Sequence, residues 1–204
     1  MAREVGVSRI TLFELTSDKV GGTPDYAEPF ALPWCVNFET EDEYIEKEIK
    51  ADNVIESAEK RIDKVNITME VSSNTPPSLD AKITGKGYKD GKRFTRVGQK
   101  ASSFAVAYEI LMDDGNIRRR IIYNASFTRN SHKNSGDGSS EGETYTYEGV
   151  GFPLRSTQDV ELLMDLEEIK ALTGGNKEAI LEQFNNFFKE PILPDTPLTS
   201  SQDN

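Results

Sequence analysis

Val65-Asn66-Ile67-Thr68-Met69-Glu70-Val71 alternates apolar and polar residues without a break. Successive side chains of a β-strand point to opposite faces, so Val65, Ile67, Met69 and Val71 face a core while the polar residues face water or a partner. A helical spacing does not generate this pattern. The stretch decides for a β fold, and its neighbours extend the same reading in both directions.

Upstream, Val7–Leu15 is rich in β-branched and apolar residues and reads as a strand buried on both faces, followed by a turn at Gly21–Pro24. Phe30–Phe38 is a second extended stretch, which Pro33 confines to an edge or a strand start. Between it and the alternating strand, residues 39–60 hold nine acidic and three basic side chains, too charged to be buried and read as a projecting hairpin or long loop.

Downstream, Pro76 and Pro77 open a short helix, Ser78–Thr84, which Gly85 closes. Phe104–Met112 and Ile117–Phe127 form a hairpin about Asp113-Asp114-Gly115-Asn116, with Ile121, Tyr123, Ala125 and Phe127 expected on one face. Asn130–Gly142 reads as a polar loop, and Thr144–Leu154 as a strand with Tyr145 and Tyr147 on one face. From Asp159 the spacing of Val160, Leu163, Leu166 and Ile169 predicts a helix, with Ser156 or Thr157 as its cap. Gly174-Gly175 breaks it. Asn176 then opens a second helix with the stripe Ile180, Phe184, Phe187 and Phe188. The expected organisation is a β-sandwich or barrel domain over residues 1–155 with a short flanking helix, a C-terminal helical segment over 156–190, and a disordered tail over 191–204.

The charge sharpens what this domain is for. The 204 residues carry 35 acidic and 24 basic side chains, a formal net charge of −11, which disfavours general binding to nucleic acid. The distribution is uneven: residues 39–60 carry −6, residues 92–129 carry +5 (eight basic, three acidic), and residues 159–190 carry −5 (three basic, eight acidic). Unlike patches of this kind favour association between copies. Arg118-Arg119-Arg120 is the basic cluster singled out, with Arg118 and Arg120 on one strand face and Arg119 on the other; contact with acidic patches of a neighbouring copy is its first reading and nucleic acid its second.

No catalytic, metal or cofactor site is expected. Gly85–Lys92 fits neither phosphate-loop spacing, because Arg93 stands where a Ser or Thr should follow the lysine. Asp113-Asp114-Gly115 is a turn, Gly136–Glu143 a solvated loop, and His132, in a polar stretch, has no nucleophile beside it. Cys35, next to Trp34 in an apolar run, reads as a small hydrophobe. No apolar run is long enough to span a membrane, and the N-terminus has no signal-peptide pattern, so the chain is expected to fold in a cytoplasm.

Several segments, in order, carry a resemblance: the opening Met1-Ala2-Arg3-Glu4-Val5-Gly6-Val7, the run Ala51-Asp52-Asn53-Val54-Ile55-Glu56-Ser57 ahead of the alternating strand, the helix through Ala81 to Gly85, the hairpin Ala105–Phe127 ending in Tyr123-Asn124-Ala125-Ser126-Phe127, and the polar loop before a last strand. In this order they resemble the major tail proteins, the tail-tube subunits, of long-tailed phages with non-contractile tails. The resemblance covers about residues 1–155 and does not extend to 159–190. It implies a β-sandwich or barrel with one flanking helix, hexameric rings whose inner sheets join into a tube, and rings stacked on a tape-measure protein. Tail terminator and distal tail proteins would be further partners. DNA would be present only in transit through the lumen, and the protein would reside in the virion tail after synthesis in the host cytoplasm. By the same resemblance Glu39, Glu41, Asp42, Glu43, Tyr44, Glu46, Lys47, Glu48 and Lys50 form the hairpin that bridges subunits or rings, and part of the acidic surplus lines the lumen. The rival is a virion or surface β-sandwich module that binds carbohydrate or a host surface, with Trp34, Tyr145 and Tyr147 as its candidate aromatics.

Overall fold

The computed structural model describes residues 2–51, 54–129 and 144–198. The expected loop Asn130–Gly142, with His132, and the Gly136–Glu143 segment lie outside them. Among the described residues the chain is mainly β, with one large antiparallel sheet and three short helices.

The sheet is built from β1 (Glu4–Ser17), β4 (Cys35–Ala51), β5 (Val54–Ser72), β8 (Ser103–Met112), β9 (Ile117–Thr128) and β10 (Thr144–Gly151), with the short strands β2 (Asp25–Tyr26) and β3 (Phe30–Ala31). Its order is β2-β1-β8-β9-β10-β5-β4, with β3 also on β1. The sheet rolls. The Phe38 ring on β4 meets the Tyr108 ring on β8 at 4.5 Å between centroids. Residues 30–34 cross from one end of the sheet to the other: the Leu32 amide donates to the Ile10 carbonyl at 2.8 Å, and the Ser72 amide donates to the Trp34 carbonyl at 2.9 Å. Pro33 lies between these bonds, where its lack of an N–H breaks no ladder.

The alternating stretch behaves as its pattern requires. Val65, Ile67, Met69 and Val71 are fully buried in the interior of the roll, with Leu12, Phe104, Val106, Phe127 and Tyr147. Helix α1 (Pro77–Thr84) follows, with Pro77 at its first turn and Gly85 in the left-handed conformation at its end. A β-carbon at Gly85 would lie 2.3 Å from the Lys100 carbonyl oxygen, so both the backbone angle and the space demand glycine. The Gly85–Lys92 stretch is a turn and small hairpin, β6 (Gly87–Lys89) and β7 (Lys92–Phe94).

Strand β9 departs from strict alternation. Opposite β8 the register passes from Phe104↔Ala125 to Val106↔Ile122, which leaves two residues of β9, Tyr123 and Asn124, facing the single Ala105. This bulge reverses the faces. Ile121 and Tyr123 point to a second apolar cluster, whereas Ala125 and Phe127 join the interior of the roll, so the expected shared face of these four residues is corrected.

The C-terminal third also differs from expectation. Glu161–Asp165 is strand β11, paired antiparallel with Arg118–Ile122 of β9, and only Leu166–Ala171 (α2) and Lys177–Asn186 (α3) are helical within the expected helical segment 156–190. The spacing that suggested a helix also alternates: Leu162 and Met164 pack on the second cluster, while Leu163 is half exposed. The open edge of β9 and its arginines select the strand. The helix cap is Asp165, not Ser156 or Thr157; its Oδ1 accepts from the amides of Glu167 at 2.9 Å and Glu168 at 3.2 Å. At α3, Asn176 occupies the cap position without a side-chain hydrogen bond.

The expected disorder from residue 191 is corrected as far as residue 198. The Tyr123 hydroxyl donates to the Ile192 carbonyl at 2.7 Å, and Ile192 is buried with Phe13, Ile121, Phe187 and Leu154 on the outer side of β1, β8 and β9. Residues 199–204 lie outside the description. Apolar contact therefore holds both α3 and the segment after it. Phe187→Ala should lower unfolding free energy by about 3–5 kcal/mol, the range for emptying a buried aromatic site, and urea denaturation followed by tyrosine and tryptophan fluorescence measures it. A loss below 1 kcal/mol would mean that the C-terminal third is not part of the folded unit.

Candidate assembly interface

Strand β10 pairs β5 only from Val65 to Ser72. From Lys64 back to Val54, β5 has β4 alone as its neighbour, with Ile45 facing Arg61 and Ala51 facing Val54. Eleven residues at the usual rise give a two-stranded arm of roughly 35 Å. Ile62 still leans on the interior of the roll. Opposite it Tyr44, and next to that Ile45, are 49% and 40% exposed and point to opposite faces, so both faces of the arm are bare from here on.

The charged residues of the arm divide into paired and unpaired. The Asn66 amide and the Lys64 ammonium, at 3.2 and 3.1 Å, hold the Glu43 carboxyl below its usual range. Lys60 pairs with Glu46 at 3.0 Å and lies over the Tyr44 ring at 5.1 Å. Asn37 donates to Glu39, and Glu41 is exposed. Lys47, Glu48 and Lys50 continue β4 in register with Glu59, Ala58 and Ile55; their side chains lie outside the described residues.

At the root of the arm the three arginines of β9 take up positions that alternation dictates. Arg120 donates to Thr40 at 3.0 Å, to Asp42 at 3.3 Å and, through Nε, to Glu161 at 2.7 Å, so it ties β4 to β11 across the mouth of the roll. Arg118 shares its side and pairs with Asp165 at 2.7 Å and Glu4 at 3.6 Å. Arg119 points the other way, buried, and bonds Glu109 through Nε at 3.1 Å and Nη2 at 3.0 Å, with the Phe184 carbonyl as a further acceptor and the Phe184 ring 4.1 Å away. The acidic partners expected from a neighbouring copy are thus supplied by this chain. A cleft of about 460 Å³ opens beside Arg120, between Phe38, Tyr108, Glu161 and Leu163.

Sequence reasoning missed Asp80. It is buried on α1 and meets Arg93, Arg129 at 3.0 Å and the Tyr147 hydroxyl at 2.8 Å, which together moor α1 to β7, to the residue that follows β9 and to β10. These partners are scattered along the chain, and no local pattern announces them.

The aromatics of the carbohydrate reading do not form a groove. Tyr147 is fully buried, Tyr145 is half-buried under the Arg129 guanidinium at 4.2 Å, and Trp34 alone is exposed. Cys35 is half-buried, and burial pushes its thiol up to about 11, away from reactive thiolate behaviour. Among the described residues no group of His, Cys, Asp and Glu is arranged to hold a metal ion, and no described helix is long and apolar enough to cross a membrane.

No family model matches the sequence, and no curated protein matches it. Among solved structures the chain is similar to a chain of the sheath-tube complex of an extracellular contractile injection system in its extended state, with a TM-score of 0.43 and 10% identity over 78% of this chain and 89% of that one. It is also similar to a chain of the anti-feeding prophage baseplate, with a TM-score of 0.39 and 12% identity over 80% and 97%. A chain of the anti-feeding prophage cap gives 0.39 and 10% over 81% and 95%. Overlap at this level is loose, and what the arm and the edges can do follows from their own geometry.

The Asp165 carboxyl sets a pH dependence. Burial pushes it up, but hydrogen bonds from Arg118, Asn116 and the amides of Glu168 and Glu167 outweigh burial and hold it at about 2. A carboxyl depressed on folding stabilises the fold above its unfolded value of about 4, and that contribution fades as pH falls toward 2. Asp165→Ala should therefore lose about 1–2 kcal/mol at pH 7, as loss of a helix cap does, and much less at pH 2.5. Urea midpoints of the two proteins at both pH values test this. An equal gap at the two would show that the charge of Asp165 contributes nothing.

Proposed function

We propose that this chain is the subunit of a tail tube, a structural component of a long-tailed, phage-type particle with a non-contractile tail, and not an enzyme. The observation that carries the reading is the bare β4–β5 arm. An isolated two-stranded hairpin is marginal in water, and this one presents apolar residues on both faces and an unpaired outer edge along β4. Such an arm is stabilised when another chain covers it, and a particle built from many copies of one subunit supplies that cover.

In this reading the copies form hexameric rings that stack around a tape-measure protein and join a tail terminator and a distal tail protein at the ends. The arms bridge subunits or rings, and DNA traverses the lumen during delivery. A net charge of −11 suits a conduit, because an acidic wall repels the phosphate backbone. The protein would be made in the host cytoplasm and would reside in the virion. Arg118, Arg119 and Arg120 serve assembly indirectly: they hold β11, α3 and the root of the arm to the sheet, so that the projecting part starts from a rigid base.

Replacing residues 46–60 with Asn-Gly joins Ile45 to Arg61, which already face each other, and removes the outer part of both strands of the arm together. The shortened protein should melt like the full chain yet fail to form tubes or rings by negative-stain electron microscopy. Tubes of normal length from it would overturn the role of the arm.

A further inference from the structure

Residues 82–100 contain seven basic side chains, Lys82, Lys86, Lys89, Lys92, Arg93, Arg96 and Lys100, against the single acid Asp90. In a chain of net −11 this is a concentrated patch of +6. It covers the end of α1, β6, β7 and the segment that follows. All seven cations are exposed except Lys86, which is partly covered. Arg93 is engaged by Asp80, whereas Lys86, Lys89, Lys92 and Lys100 are in no ion pair among the described residues. Burial pulls Lys86 below its usual range, with Asp80 opposing and Arg93 and Arg129 adding to it. At the same surface Tyr88 is 46% exposed and Val97 fully so.

The arm is the complement of this patch. It is acidic, with Glu41, Glu46 and Glu59 exposed, and it carries its own half-exposed Tyr44 and Ile45. An apolar centre within a rim of opposite charge is the usual build of a specific contact. The two surfaces cannot meet within one molecule. Tyr44, Ile45, Glu46 and Glu59 sit at the level of residues 59–62 of β5 and the basic patch follows Ser72, so about ten residues of strand hold them roughly 35 Å apart. Complementary surfaces at opposite ends of one rigid element join copies head to tail, a heterologous contact that repeats.

We propose that the basic surface formed by the end of α1, β6 and β7 is the docking site for the β4–β5 arm of a second copy of this chain. This rests on the reading that copies of the chain stack, and it names the two surfaces through which they do so. Double-stranded DNA is the other polyanion that such a patch could hold. The arm is favoured because it matches the apolar centre as well as the charge.

The test is a reciprocal charge exchange on the full-length chain. Lys89→Glu/Lys92→Glu/Arg96→Glu/Lys100→Glu takes residues 82–100 from +6 to −2, and Glu46→Lys/Glu59→Lys takes residues 43–64 from −2 to +2. Each change is on an exposed surface, and circular dichroism checks that both variants fold. Sedimentation and negative-stain microscopy then read assembly. Neither variant should assemble alone, with the concentration needed rising on the order of tenfold or more, because each sets like charges against each other. An equimolar mixture should assemble, since each arm then meets a patch of opposite sign. Normal assembly by either variant alone, or a mixture as inert as its parts, overturns the docking and leaves the tube reading standing. Normal assembly by the variant with the reversed patch together with lost affinity for a double-stranded DNA oligonucleotide overturns it in favour of nucleic acid. A wild-type chain that stays monomeric at all protein and salt concentrations overturns the tube reading and the docking with it.

Discussion

From Phe104 to Ile110 every side chain of β8 is buried, and a strand can bury both of its faces only when a layer lies on each. One layer comes from the sheet itself, which rolls until β5 and β10 face β8. The other is α3 with the segment to Ile192, held on the outside by Phe187, Ile192 and the Tyr123 hydroxyl. The bulge at Tyr123–Asn124 serves both layers. It lets Ile121 and Tyr123 face outward, and Ala125 and Phe127 inward, from one continuous strand. The two halves of the chain that look separable by composition, a β domain and a helical segment, share this pair of strands and form one structure.

Charge is buried where these layers meet. Arg119 and Glu109 lie between the sheet and α3, and Asp80 with Arg129 lies between α1 and the roll, with Arg93 reaching Asp80 from the surface. Desolvating such groups is expensive, and removing one partner would strand the other, so these pairs fix how the helices sit more than they add net stability. Arg120 does the same at the mouth of the roll, where β4 leaves the sheet to become the arm. A rigid root matters for a projecting element, because small errors at the base grow along its length.

Stability is therefore uneven. Interior strands are covered on both faces, whereas the arm has an exposed edge, two bare faces and a surplus of acids. The uncovered apolar and acidic surface lies at one end of β5, and the basic surface beyond Ser72 lies at the other.

Much of this was legible in the amino-acid sequence because it depends on neighbours in the chain. Alternation from Val65 to Val71, the prolines and glycine that bound α1, the turn at Asp113–Asn116 and the acidic run after Glu39 all act locally. They determined the β class, the hairpin and the short helix. What escaped depends on contacts between distant segments. Val160–Ile169 fits a helix and a strand alike, and only the open edge of β9, with Arg118 and Arg120 awaiting Asp165 and Glu161, makes Glu161–Asp165 a strand. The bulge in β9 is invisible until β8 is laid beside it. The arginine cluster was recognisable, but its partners were not, because 41 residues separate Arg120 from Glu161 and 65 separate Arg119 from Phe184. Sequence by itself determined which segments are strands with a covered face; tertiary structure decided which charges are spent inside the fold and which stay exposed, because that depends on where the chain brings its distant parts together.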